Sequence, residues 1–177
     1  MSRKISLNAH LALDADGSKE VEIVLLQITH PETEQVIRLS TDPTERISYQ
    51  PLRYGTRSTW LGADPADDDQ VFFFILVSVL LPDDQETAPP AARLLIEGVD
   101  NELTEVLRST QARAAVSMAV VLASSPDVTE QEWHGFKLVS AEKSGEGITL
   151  TISRNPLTEE PWPAGRMTRE RFPGLHP

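Results

Sequence analysis

Val71-Phe72-Phe73-Phe74-Ile75-Leu76-Val77-Ser78-Val79-Leu80-Leu81 is the longest apolar run in the chain, eleven residues with Ser78 as its one polar member. Its β-branched and aromatic side chains suit a pleated strand, and it does not alternate. A strand that is apolar on both faces has to be covered on both. In a mostly antiparallel protein, that predicts a place at the centre of a sandwich or against a second subunit, with Phe72, Phe73 and Phe74 as candidate interface residues. The run is also well short of the roughly 20 residues that a membrane-spanning helix needs.

Outward from this run, other segments read as strands. Toward the N-terminus, Ile5, Leu7, Ala9, Leu11 and Leu13 fall on one face, with Ser6, Asn8 and His10 on the other. The turn-forming Asp14-Ala15-Asp16-Gly17-Ser18 and the apolar Glu20–Thr29 follow, so the pattern predicts a long hairpin. Gln35–Thr41 reads as a third strand. Residues 42–70 hold three prolines, two glycines and the scattered aromatics Tyr49, Tyr54 and Trp60, which predicts a long loop with short strand pieces. Beyond the central run, Ala92–Gly98, Ala114–Ala123, Gly135–Glu142 and Gly147–Ser153 read as strands. Asp100 or Asn101 can cap one short helix over Glu102–Ser109. The expected fold is mainly β, an antiparallel β-sandwich or split barrel with one short helix.

The last twenty-four residues differ in kind. Residues 154–177 hold five of the thirteen prolines, which exclude a long helix or a central strand. Leu157, Trp162, Met167, Phe172 and Leu175 recur there at irregular intervals, too many large apolar groups for a plain disordered linker. The chain therefore divides into a β domain, 1–153, and an extended docking arm, 154–177. The arm anchors are Leu157, Pro161, Trp162, Pro163, Met167, Phe172, Pro173 and Leu175.

Composition narrows the functional classes. With 40% apolar and 24% charged residues, the chain is ordinary for a globular protein. The absence of cysteine excludes disulfides, thiolate metal sites and a cysteine nucleophile. The opening M-S-R-K-I-S-L-N-A-H has no apolar signal region, so synthesis in the cytoplasm is expected. Net charge is −11, which argues against binding a phosphate backbone. Four arginines against three glutamates leave the arm at +1 and the body at −12. An acidic body with a slightly basic arm suits self-assembly.

Catalytic motifs are missing. The sequence has no G-x-S-x-G, P-loop, H-E-x-x-H or dinucleotide-binding fingerprint. His10, His30, His134 and His176 lack metal-ligand spacing. Asp14-Ala15-Asp16-Gly17 opens like a calcium loop without its later ligands. Asp67-Asp68-Asp69 reads as a solvated loop, and Glu159-Glu160 point apart in an extended arm. No catalysis, metal or cofactor is expected.

Ile96–Leu107 (I-E-G-V-D-N-E-L-T-E-V-L), Val120–Asp127 (V-V-L-A-S-S-P-D) and Glu160–Leu175 (E-P-W-P-A-G-R-M-T-R-E-R-F-P-G-L) follow one another in this order. Together they resemble a family of small tail proteins of long, flexible-tailed bacteriophages. The family's ending is similar to E-P-x-P, a spacer, then M-T-P-x-x-F-P-G-L. Glu160, Pro161, Pro163, Met167, Thr168, Phe172, Pro173, Gly174 and Leu175 match it. Arg169 stands where proline is expected, and Trp162 where Phe or Tyr is commoner.

The resemblance implies a structural tail-tip protein, similar in role to the lambda minor tail protein M or the distal tail proteins. Copies would form a ring, of six, that joins the tail tube protein to the hub or baseplate protein, with the tape measure protein as a further neighbour. The place implied is the virion tail tip, reached from the host cytoplasm during assembly, with no sequence-specific nucleic-acid binding and no membrane. The rival expectation from the residues themselves is a soluble β-sandwich binding module that takes carbohydrate or peptide on Tyr49, Tyr54 and Trp60.

Overall fold

The computed structural model describes residues 5–31, 36–80, 91–97, 113–144 and 147–153. In chain order these form α1 (Leu7–Asp14), β1 (Glu22–Thr29), β2 (Val36–Ser40), β3 (Glu45–Tyr49), β4 (Leu52–Thr56), β5 (Phe72–Phe74), β6 (Val77–Leu80), β7 (Ala91–Glu97), β8 (Ala115–Leu122), β9 (Ser125–Ser144) and β10 (Gly147–Ser153). All ten strands belong to one sheet, in the order β3-β4-β5-β2-β1-β8-β9-β10-β7-β6. The protein is mainly β.

The apolar run Val71–Leu81 gives two strands rather than one, and their places decide the shape. β5 is third from one end of the sheet and β6 is the other end. Only Ile75 and Leu76 separate them, and three peptide steps span at most about 11 Å. The far end of the sheet must therefore return to β5, which rolls the sheet into a split barrel. Val71–Leu80 bridges the seam. Its first half pairs with β2 and β4, and the Ile75 N–H still donates to the Ser40 carbonyl at 3.0 Å. Its second half pairs with β7.

Two expectations change here. The β2–β5 pair is parallel, Leu39 opposite Phe73, although every other pair is antiparallel. Two-sided burial of the run holds only at its start. Val71 and Phe72 are buried, Phe73 and Phe74 are half-buried, and Leu76 is exposed.

The strands apolar on both faces are β1 and β8. Leu26, Ile28, Val116, Met118 and Val120 point into the barrel with Leu39, Leu94, Trp133, Phe136, Ile148, Leu150 and Ile152. That one cluster joins side chains from β2 and β7, fourth and ninth in the strand order, as a rolled sheet requires. Ile23, Leu25, Ala119 and Val121 point outward into a second cluster with Trp60, Ala63 and Phe72. The segment between β4 and β5 is thus a cover laid over the outer wall.

Inside residues 42–70 the chain is more ordered than a long loop. It contains the β3–β4 hairpin, turned through a cis Gln50–Pro51 peptide, and a 3-10 turn at Trp60–Gly62. The glycine between hairpin and cover has a packing reason. A Cβ on Gly55 would lie 2.2 Å from the Phe72 carbonyl oxygen, so β4 can approach β5 there only without a side chain.

The N-terminal strand is a correction. Residues 7–14 form a helix, with Ser6 as N-cap accepting from the Ala9 N–H at 3.0 Å. Leu and Ala are among the strongest helix formers, and the same alternation also places Ile5, Ala9 and Leu13 four residues apart. The expected hairpin partner of β1 does not exist; β1 pairs with β2 and β8 instead. β9 begins ten residues earlier than expected, since Pro126, Asp127 and three acidic or amide residues hide an edge of mixed polarity. The expected helix at 102–109 and the arm 154–177 lie outside the described residues.

Candidate functional site

Three places on the barrel collect chemistry or unpartnered surface. The first is the β3–β4 hairpin, which ends the sheet. β3 pairs with β4 on one side and has no strand on the other among the described residues. Tyr49 is 73% exposed, Leu52 60% and Tyr54 36%. The Arg46 guanidinium lies 4.0 Å from the Tyr49 ring centroid and donates to its hydroxyl at 2.6 Å. Arg53 reaches over the Phe73 ring at 5.1 Å. The result is an open strand edge carrying aromatics and two arginines on a strongly acidic protein.

The second place is a polar row on the outer wall. A bulge in β9 at Gly135, where φ is +76°, re-aims His134 toward β8. His134 Nδ1 lies 3.4 Å from Ser117 Oγ, and His134 Nε2 lies 3.2 Å from Glu132 Oε2. The same carboxylate oxygen accepts from the Trp60 indole N–H at 3.4 Å, and the imidazole stacks near that indole. Hydroxyl, imidazole and carboxylate stand in a nucleophilic order. The Ser–His contact is long, and Glu132 is shared with the Trp60 indole. Through Trp60 the row touches the cover.

The cover itself is tied at several points. Ser58 donates to the Pro126 carbonyl at 2.7 Å, and Asp127 accepts from the Thr59 N–H at 2.7 Å. Arg57 bonds Glu45 at 3.0 Å, Asp68 at 2.6 Å and the Pro65 carbonyl at 2.5 Å. The bond to Asp68, against some desolvation, holds the guanidinium above its usual value. Asp67 is held below the ordinary carboxylate value, first by the Gln70 amide at 2.8 Å and then by the Asp69 N–H at 3.0 Å. The acidic 64–69 stretch is therefore occupied with local hydrogen bonds. Among the described residues, no three His, Asp or Glu side chains stand where they could hold a metal ion.

The third place is one mouth of the barrel. A cavity of about 460 Å³ opens between α1 and the ends of β1, β8 and β9, lined by Ile5, Ala9, Ala12, Leu13, Val120 and Leu122 together with Ser18, Glu20, Glu22, Glu130 and Gln131. It falls within the size range of ligand pockets and in a common place for them.

These places absorb the expected site residues unevenly. Phe72 lies under the cover beside Trp60, ring centroids 5.8 Å apart. Phe73 and Phe74 sit half-buried on the seam strand. Trp60 is only 7% exposed, so it does not join Tyr49 and Tyr54 in an exposed aromatic platform. All eight arm anchors, Leu157 to Leu175, lie outside the described residues. Sequence reading missed the Ser117–His134–Glu132 row, whose bulge only Gly135 could have hinted at. It also missed the barrel mouth, because α1 reads as a strand.

No protein-family model matches this chain, and no curated protein sequence matches it. Among the described residues, no helix is long and apolar enough to cross a membrane.

Proposed function

We propose that this protein is a structural component of the tail tip of a long, flexible-tailed bacteriophage. Copies close into a ring, of six, between the tail tube and the hub or baseplate, near the tape measure protein, and carry out no catalysis. The observation that carries this reading is the β3–β4 hairpin. An open edge strand bearing exposed Tyr49 and Leu52 is a liability in a monomer. It becomes an asset where the next copy continues the sheet by strand addition. The basic residues Arg46 and Arg53 suit that role, since the neighbour they meet carries a net negative body. The acidic body also fits a lumen through which DNA slides, because like charge repels phosphate. The resemblance of the arm to the phage-tail ending points the same way.

Negative-stain electron microscopy of the purified chain, alone and co-expressed with a tail-tube protein, tests this. Rings with a central lumen are expected. The double variant Tyr49→Asp/Leu52→Asp should keep the wild-type melting temperature and lose the rings. A chain that stays monomeric in both settings, or whose rings survive the double variant, overturns the hairpin as the assembly edge.

A further inference from the structure

The cavity at the barrel mouth has a lid that is barely attached. No residue of α1 is buried. Leu7 is 75% exposed, Leu11 60% and Leu13 75%. Side-chain hydrogen bonds to the barrel are few: Glu130 Oε2 accepts from the Ser6 N–H at 2.8 Å, and Asn8 reaches Ser125 Oγ at 3.5 Å. A helix of this composition gains little from standing over a half-filled space, since most helical stability comes from packing an apolar face. The apolar side chains of α1 are left largely unburied.

The polar part of the lining says what an occupant carries. Glu20, Glu22 and Glu130 face the cavity, with no lysine or arginine among its described lining residues. The second carboxylate oxygen of Glu130 is buried and has no hydrogen-bond partner among the described residues. A buried carboxylate oxygen left unpaired is costly, and an arginine or lysine donor is the partner that best relieves it. The occupant therefore combines apolar side chains with cationic ones.

We infer that the groove under α1 receives the C-terminal arm of a second copy of this chain, with Met167 and Phe172 entering the apolar floor and Arg166, Arg169 or Arg171 meeting the glutamates. The sequence places these types together as R-M-T-R-E-R-F over 166–172. The inference rests on reading residues 154–177 as a docking arm. Length permits it: nineteen residues from Ser153 to Phe172 reach up to roughly 65 Å. Position suits a head-to-tail contact with a second copy. Ser153 pairs with Lys137, which pairs with Ala115, which pairs with Thr29, so the chain leaves β10 at one end of the barrel. The groove is at the other end, beside Glu22 and Leu122, seven steps along β8 or about 23 Å away. An arm that leaves one end of each copy and enters the opposite end of the next makes a head-to-tail contact, the heterologous kind from which rings close.

The chain has no cysteine, so introduced thiols report without background. Full-length Leu13→Cys and Phe172→Cys proteins are mixed in equal amounts and treated with a short bismaleimide. A cross-linked dimer is expected from the mixture, at least tenfold above that from Leu95→Cys with Phe172→Cys, because Leu95 lies exposed on the outer wall. Adding Glu22→Lys to the Leu13→Cys chain should lower the yield several-fold at low ionic strength. If the double variant Leu13→Cys/Phe172→Cys gives only a dilution-independent cross-link within one chain, the arm is seated on its own barrel and the second copy is excluded. If neither the mixture nor the double variant gives a cross-link, the groove is not the arm's seat. Light scattering on the same samples reads assembly separately, so a ring held together elsewhere is distinguished from no ring at all.

Discussion

Gly55 shows how much a single position can fix in this fold. It lets β4 lie against β5 where a methyl group would meet the Phe72 carbonyl at 2.2 Å. Gly55→Ala should therefore cost about 1–3 kcal/mol in urea unfolding, the usual range for overpacking. Gly17→Ala serves as the contrast: its Cβ would meet open space, and only its φ of +79° opposes the change, so about 1 kcal/mol is expected. Equal effects at both sites would mean that the close approach of β4 to β5 is not needed. Asp67 makes a second residue-scale claim, in pH. Its folded pKa is lowered, by Gln70 first and the Asp69 N–H second, from an ordinary value of 3.8. A depressed carboxylate contributes stability above the ordinary value and loses it as pH falls through the lowered one. The carboxyl resonance of Asp67 should titrate below 3.8, and Gln70→Ala should move it upward; an unmoved titration would show that the Gln70 bond does not form in solution.

At the scale of elements, the seam strand separates what the sequence showed from what it hid. Phe72 and Phe73 are adjacent in one apolar run, yet Phe72 is fully buried under the cover while Phe73 lies half-buried beneath Arg53. Phe72→Asp buries an unpaired charge and should yield no soluble protein. Phe73→Asp can meet the Arg53 guanidinium, and a soluble variant weakened by about 1–3 kcal/mol is expected. The reverse ranking would mean that the cover sits on the other face. The lone apolar run marked a strand correctly, but only connectivity tells that it changes partners at Ile75–Leu76. β1 and β8, the strands buried on both faces, carry Gln27, Thr29 and Ser117 among their apolar residues, which disguised their position. β2, β7, β8 and β10 were legible because each is a short apolar run between turn residues. α1 was misread because Leu and Ala at alternate positions satisfy both periods; their helix propensity and the Ser6 cap favour the helix. Its loose seating is testable: Ser6→Ala removes about 1 kcal/mol of cap. Amide exchange at His10 and Ala15, which close the helix onto Ser6 and Leu11, should rise about fivefold. The urea midpoint of the barrel should stay fixed. A falling midpoint would show that α1 belongs to the cooperative core.

For the whole molecule, the question is which electrostatic effect governs assembly, since copies of net charge −11 repel while arginine-bearing edges attract acidic neighbours. Distance decides. Repulsion between bodies acts over tens of ångströms, and at physiological ionic strength the Debye length is about 8 Å, so most of it is already screened. Contacts such as Arg46 or an arm arginine against a glutamate act within about 4 Å and survive that screening in part. Ring formation should therefore depend on salt in both directions. Below about 0.01 M, where the Debye length reaches roughly 30 Å, body repulsion should hold copies apart. Near physiological salt, assembly should peak, and toward 1 M it should weaken as the short contacts are screened. Light scattering across this range should give a mass maximum at intermediate salt. Reversing charge at Arg46 and Arg53 by substitution with glutamate should remove the fall at high salt along with the maximum itself. A mass that rose steadily with salt would mean that apolar burial at Tyr49 and Leu52 holds the copies together unaided, and the basic edge and arm would then have no part in joining them.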